Sequence, residues 1–431
     1  MVAPGPRMRL DGRSMADTPS PFSFRDYRFY WFARLASNLA QLSMVVVIGW
    51  QVYDIARSQL HMSKGDAALQ LGLVGLIQFL PLLLLTLIVG WTADRIDRRW
   101  IARASITLEM VCAIMMAVMA WQGTTSLPAI FVIAALLGVA RAFAGPALQG
   151  LSPNLVPPAV LPAAIAMSSI AWQSGAVFGP AMGGYLYAIG HWVPYAVSAV
   201  LFLCSVIAMF LIRPVPRRAL DGTNPWRQMI DGLSYVRRNR LVLGAISLDL
   251  FAVLLGGATA MLPVYARDIL QVGASGLGHL RAAPAIGAAL TAIWFAWRPL
   301  KTNVGVKMLW AVVVFGGATA VFGLSRWMPL SLVCLALLGA ADMLSVFVRQ
   351  SLIQLYTPDE MRGRVGAVST LFISGSNELG EAESGFLAAL IGPVAAVVAG
   401  GIGAVLVAIL WARWFPELKN ARTFDPPQSL E

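Results

Sequence analysis

Eight ionisable residues, Arg34, Glu109, Arg141, Asp249, Asp342, Glu378, Glu381 and Glu383, interrupt otherwise apolar stretches of the sequence. A charge at the centre of a bilayer costs about 2.5–3.5 kcal/mol on insertion scales, so each such group needs a partner or a task. Glu378 and Glu381 lie three residues apart, which puts both on one helix face. Carboxylates crowded in a low dielectric keep a proton more readily, which is what a proton carrier near neutral pH requires. Asp249, Asp342, Glu378 and Glu381 are therefore the expected proton-coupling residues, although each could equally serve a structural ion pair or helix contact. Asp54, Glu109 and Glu383 are expected to be structural. The three histidines, His61, His191 and His279, fall at outer ends or loops, which leaves carboxylates as the couplers. The expected energy source is a proton gradient, with no cofactor and no metal.

The elements that hold these groups follow from composition. Hydrophobic residues make up 58% of the 431 positions and charged residues 12%, about half the charge of a soluble chain. A crossing helix needs about 20 mainly apolar residues, and twelve such runs can be placed. Those of the first half lie near 29–53, 69–92, 100–121, 128–149, 164–189 and 193–213. Those of the second lie near 242–265, 277–297, 304–325, 329–350, 366–390 and 393–415. The fold class is an all-α membrane protein: twelve transmembrane helices in two pseudo-symmetric six-helix bundles, 29–213 and 242–415. Residues 1–28 and 416–431 read as cytoplasmic tails, the first being polar and basic rather than a cleavable signal. Residues 214–241 read as a cytoplasmic linker. Asn224 is its expected helix cap, and Trp226, Met229, Ile230, Leu233 and Val236 form an apolar face for the lipid interface.

The net charge of +11 has no single patch that would suit nucleic acid. With both termini inside, twenty-four of the 32 Lys and Arg fall on the inner side, five on the outer side (Arg57, Lys64, Arg267, Arg281 and Arg326) and three within spans. That bias places both ends in the cytoplasm of a bacterial inner membrane protein. Cys112, Cys204 and Cys334 sit singly in apolar runs and read as packing residues.

An internal repeat organises the chain. Ala135–Gly138 recurs as Ala336–Gly339, an offset of 201 that also maps Arg141 onto Asp342, Gly179 onto Gly380 and Gly184 onto Gly385. Parallel six-helix repeats are a known transporter plan, with the substrate held near mid-bilayer between the halves. Arg141 and Asp342, at repeat-related positions, are expected to face each other across that cavity. Trp31, Trp50, Trp172 and Met343 are candidates to line it; the same residue types fill any membrane core.

Three local motifs carry a resemblance. Gly90-Trp91-Thr92-Ala93-Asp94-Arg95-Ile96-Asp97-Arg98-Arg99 resembles the GxxxDRxGRR loop of the major facilitator superfamily, with Asp97 in place of a glycine. That Asp is similar to the branch holding the enterobactin exporter and the transmembrane secretion effectors. By this resemblance, Gly90, Asp94, Arg95, Arg98 and Arg99 form a loop that latches the inward-closed state. Gly175-Ala176-Val177-Phe178-Gly179-Pro180-Ala181-Met182-Gly183-Gly184 resembles the GxxxGPxxGG antiporter element of export pumps, through Gly175, Gly179, Pro180, Gly183 and Gly184. Small residues four apart also serve plain helix packing. Thr357–Val365 and Leu262–Asp268 resemble loops of the same branch.

The resemblance implies export of a small amphipathic compound (a drug, siderophore or other metabolite) in exchange for protons, with a single chain as the working unit. Lipid flipping and nutrient uptake are the alternatives within transport. A membrane enzyme or receptor is the rival class, against which the sequence has no GxSxG, HExxH or nucleotide-binding loop.

Overall fold

A computed structural model describes residues 19–214, 225–298, 300 and 302–424, with side chains at 86, 87, 90, 91, 93–95, 225–228, 359, 374 and 378 left aside. The basic N-terminal tail through 18, the Asn224 cap and Lys301 lie outside the described residues. The described chain is helical throughout. The first half contains α1 (Arg25–Ser58), α2 (Lys64–Arg95), α3 (Arg98–Gln122), α4 (Leu127–Leu151), α5 (Leu161–Ile189) and α6 (Val193–Phe210). A linker helix, α7 (Pro225–Arg238), leads to α8 (Arg240–Leu255), a short α9 (Leu262–Val264), α10 (Gly273–Trp297), α11 (Val304–Leu324), α12 (Met328–Tyr356), α13 (Asp359–Ile391), α14 (Pro393–Trp414) and a final turn, α15 (Pro416–Lys419).

Helix starts are set by side chains that satisfy free N–H groups. Ser63 caps α2 by accepting from the Asp66 N–H (3.1 Å), and Asn239 caps α8 by accepting from Val242 (3.2 Å). Proline stands in the first turn of α4, α6, α12 and α14, where its missing N–H costs nothing. Gly123, at φ 69°, closes α3 in the left-handed region that favours glycine.

Eleven described helices are long and apolar enough to cross a membrane. The twelfth crossing element is α13, whose middle is too polar to qualify: Ser374, Ser376, Asn377, Glu378, Glu381, Glu383 and Ser384 fall within three turns. Such a helix can cross only where protein or water shields it, and α13 is flanked by α2 of the other half and by α8 and α14 of its own. The seventh crossing is broken: after α8 the chain unwinds at Gly256–Gly257, passes through a 3-10 turn and α9, and ends in a π turn, Tyr265–Ile269. A Cβ at Gly257 would strike the Gly380 carbonyl of α13, so the break lets two backbones meet.

The repeat read from sequence is visible in the packing. Gly138 on α4 abuts the Gln78 carbonyl on α2; its counterpart Gly339 on α12 abuts the Pro284 carbonyl on α10. Gly179 on α5 packs on Leu39 and Leu42 of α1, and Gly380 on α13 packs on Val253 and Leu254 of α8. Gly184 reaches across to Gly278 of the other half, and Gly385 reaches across to Gly72. The halves therefore meet along two seams, α2 with α13 and α5 with α10.

At the end of the bundle that carries the termini, the linker helix lies against the second half. Asp231 pairs with Arg364 (3.0 Å), Tyr235 donates to the Tyr356 carbonyl (2.7 Å), and Val236 is buried with Ile353, Val365 and Val368. Ile230 and Leu233 remain exposed, 61% and 47%, so only part of the expected apolar face is left for lipid. The C-terminal turn folds back in the same region. Ala421 O accepts from Gly305 N (3.0 Å), Leu418 is fully buried, and Phe424 sets its ring edge-on to Phe347.

Candidate transport and coupling site

Glycine packing brings the first polar cluster together. With no side chain at Gly138, α4 lies close to α2 at Gln78, and one turn later the Arg141 Nη1 donates to Gln78 Oε1 (2.9 Å). Glu109 of α3 is 3% exposed and feels the Arg141 charge. Gln41 of α1 and Phe202 of α6 complete a small cavity around these groups. Arg34 forms a neighbouring site by donating to the Tyr30 hydroxyl (2.7 Å), which in turn donates to the Leu148 carbonyl (3.0 Å).

The second half holds the corresponding cavity between α8, α11 and α12. Asp249, Asp342 and Ser345 supply its polar lining, while Ala252, Val312 and Phe315 supply much of the apolar lining. The guanidinium of Arg349, two turns beyond Asp342 on the same face of α12, forms an ion pair with Asp249. Both partners are buried, at 2% and 6% side-chain exposure.

This arrangement changes several expectations. Asp249 is the partner of Arg349 and not a free carboxylate. The sequence did contain a signal: an in-span cation, Arg349, in the half that holds the surplus acids. Arg141 and Asp342 are repeat-related in position, yet each lines the cavity inside its own half, because the helix face bearing Gly138 or Gly339 turns toward a neighbour in the same bundle. Glu381 pairs with Arg281 of α10 (3.6 Å), which also donates to the Thr259 carbonyl in the unwound stretch (2.8 Å). Arg281 thus lies within α10, which begins well before it, at Gly273. The Glu378 side chain lies outside the described residues, and with it the expected crowding of Glu378 and Glu381 on one helix face.

The loop after α2 is built for capping. Asp97 is the N-cap of α3, accepting from the Arg99 N–H (3.0 Å) and pairing with its guanidinium (2.6 Å). This explains an Asp where the related motif has glycine. Arg98 donates to the Gly150 carbonyl at the end of α4 (2.7 Å), Arg99 to Ile212 (3.2 Å) and Arg103 to Met209 (3.0 Å). Cations thus sit on the negative ends of α4 and α6, both within the first half. The side chains of Gly90, Asp94 and Arg95 are outside the described set.

The α5 element packs two ways. Gly175, Gly179 and Gly183 lie on Asn38, Leu42 and Ser43 of α1, while Pro180 and Gly184 meet Gly278 and Ala274 of α10. A polar network closes the same far end of the bundle between α1 and the π turn. Tyr53 donates to Asp268 (2.6 Å), Arg57 pairs with Asp268 (3.3 Å), and Arg267 pairs with Asp54 (3.1 Å). These links join the two halves. Sequence reasoning missed them because Arg57 and Arg267 counted only as outer charges.

Two six-helix halves, each with a small polar cavity, sealed together at one end, form a carrier geometry. A family model described as transmembrane secretion effector matches residues 16–427. The chain belongs to that family. It is a transporter of the major facilitator superfamily and a multi-pass membrane protein. It is 26% identical over 407 residues to the enterobactin exporter EntS of Escherichia coli strain K12, covering 93% of this chain and 94% of the relative. The same identity and coverage hold for the enterobactin exporter of Shigella dysenteriae serotype 1 strain Sd197. Among solved structures, a bacterial homologue of the human lysosomal transporter Spinster, inward-facing and unoccupied, superposes with TM-score 0.70 at 15% identity. That match covers 91% of this chain and 98% of the other. A D-xylose–proton symporter gives TM-score 0.70 at 14% identity over 90% and 98%. These two likenesses speak to the fold.

Proposed function

We propose that this transporter exports a small amphipathic compound, of the siderophore or drug class, by alternating access in exchange for protons. In this reading both termini lie in the cytoplasm of a bacterial inner membrane, and one chain is sufficient. The observation that carries the reading is the far-end seal: Gly72 on Gly385, Gly184 on Gly278, and the Tyr53–Arg57–Asp268 and Arg267–Asp54 links join the halves there. At the other end, Arg98, Arg99 and Arg103 are bound to carbonyls of their own half. The positive-inside count makes the sealed end external, so the conformation is one closed to the outside. The relatives' printed name, enterobactin exporter, supports the direction and the substrate class.

Asp342 is the coupling carboxylate in this reading, since Asp249 and Glu381 already have basic partners. Arg141, with Glu109 and Gln78 beside it, gives the first-half cavity a polar lining suited to a polar group on the substrate. The test is extrusion of a fluorescent amphipathic substrate from cells expressing the chain. Collapse of the proton gradient should abolish extrusion, and Asp342→Asn should reduce it at least tenfold with normal membrane insertion. Extrusion that continues without the gradient would refute the exchange.

A further inference from the structure

The second-half cavity has a charge balance that its protein atoms leave incomplete. Two carboxylates, Asp249 and Asp342, line it together with Ser345. Arg349 cancels one of the two charges, and it does so at Asp249. Asp342 lies seven residues before Arg349, about 10 Å along the helix axis, so a single guanidinium bound to Asp249 is poorly placed to neutralise it.

A second observation is independent of the charges. Ser345 is 4% exposed, and its Oγ has no hydrogen-bond partner among the described residues although it lines the cavity. The Nε of Arg349, 2% exposed, is likewise without a partner. Buried polar atoms in folded proteins are nearly always satisfied, and an orphaned one points to a small guest. The cavity has room for a guest of about water size. Its remaining walls are apolar: Ala252 and Val253 on α8, and Val312 and Phe315 on α11. The charged groups of the neighbouring α10 are occupied elsewhere, His279 with Tyr185 and Arg281 with Glu381.

We propose that this cavity is a sodium site, with Asp342 as the anionic ligand, the Ser345 hydroxyl as a neutral one, and Asp249, held by Arg349, at its edge. Hard oxygen donors suit a hard cation. The net charge of one unit favours a monovalent ion over calcium or magnesium, and it leaves the bound state neutral within the bundle. A proton on Asp342 and a sodium ion then exclude each other. The inference uses the transport reading only for its purpose; the site stands on the cavity itself.

The purified full-length chain in detergent tests this, with its 14 tryptophans reporting melting. Sodium, potassium and choline chlorides are compared at equal ionic strength and pH 8. The expected result is a saturable rise in Tm specific to sodium, absent in Asp342→Asn and shifted to several-fold higher sodium in Ser345→Ala. Equal Tm in the three salts overturns the proposal, as does a sodium-specific rise that survives in Asp342→Asn. If Asp342→Asn fails to fold, Ser345→Ala decides: an unchanged sodium midpoint overturns the site. A chain that exports nothing yet shows the sodium-specific rise would refute the export reading and support this one.

Discussion

Asp249→Asn should destabilise the protein more than any other single substitution among its intramembrane acids. Asp249 and Arg349 are buried together, so removing the carboxylate strands a guanidinium with 2% side-chain exposure that cannot discharge itself. Breaking one side of a buried pair costs about 3–5 kcal/mol, whereas replacing both sides by apolar groups is often neutral. With unfolding entropy near 2.1 cal/mol/K per residue, a chain of 431 residues melting as one unit has roughly 0.9 kcal/mol/K. The single substitution should therefore lower Tm by about 3–6 °C. The double variant Asp249→Leu with Arg349→Met should recover most of that loss, a non-additivity that a double-mutant cycle isolates. The assay is tryptophan-fluorescence melting of the purified chain, with wild type, both singles and the double measured in parallel. An Asp249→Asn protein melting within 1 °C of wild type, on the same scale of about 1 °C per kcal/mol, would refute the reasoning. So would a double variant that loses the sum of the singles.

Further outcomes follow from the seams and the tail. Gly72→Val places a side chain against Gly385 and Ala382, so the far end should fail to close, with faster hydrogen exchange over 58–64 and extrusion down at least tenfold; unchanged exchange there would count against the seal. Asp268→Asn removes the negative charge shared by Tyr53 and Arg57; as a partly exposed pair worth about 1 kcal/mol, it should shift far-end accessibility severalfold and leave Tm within a few degrees. Gly305→Val would collide with the Leu418 carbonyl and should release the C-terminal turn, read as faster tryptic cleavage at Lys419 and Arg422. Glu417 is held below the usual carboxylate range by its own backbone N–H and then by Arg240, with burial opposing; its clamp on Arg240 should persist above the ordinary glutamate range and loosen only as pH falls below it, which tryptic release measured against pH checks.

The fold was legible because its constraints are local and repeated. Apolar runs of bilayer length are hard to hide, and the offset of 201 marks positions where glycine is required by backbone contact, as at Gly138 and Gly339 or Gly184 and Gly385. The site was less legible. Which carboxylate is free depends on which one an arginine reaches, and Arg349 bears no sequence mark linking it to Asp249 rather than to Asp342. The same holds for Arg281, whose place beside Glu381 depends on how far α10 extends toward the sealed end. The linker helix is legible only in part: its periodicity indicates a helix, but burial of Val236 by Ile353 and Val365 depends on neighbours 117 and 129 residues away in the chain.

The pattern of what repeats and what does not bears on mechanism. Glycine positions recur in both halves because each half must make the same two approaches, one helix against a sister and one across the seam. Polar positions diverge. The first half places Arg141 with Gln78 where the second places Asp342 with Ser345, and the Tyr30 bond to Leu148 O in the first is matched at the repeat position of Leu148 by Arg349, paired to Asp249. Two bundles of one shape can rock about a common axis only if their contacts are alike. They can bind a substrate and a coupling ion separately only if their interiors differ. The repeated glycine geometry and the opposite charges at the offset positions meet both conditions. Exchanging the charges at Arg141 and Asp342 would therefore abolish coupled export, and, because Glu109 would lose its opposite charge and Arg349 would gain a like one in its cavity, it should also lower Tm. Lost extrusion at temperatures where the variant is still folded is the expected reading, and retained extrusion would show that the two interiors are not specialised.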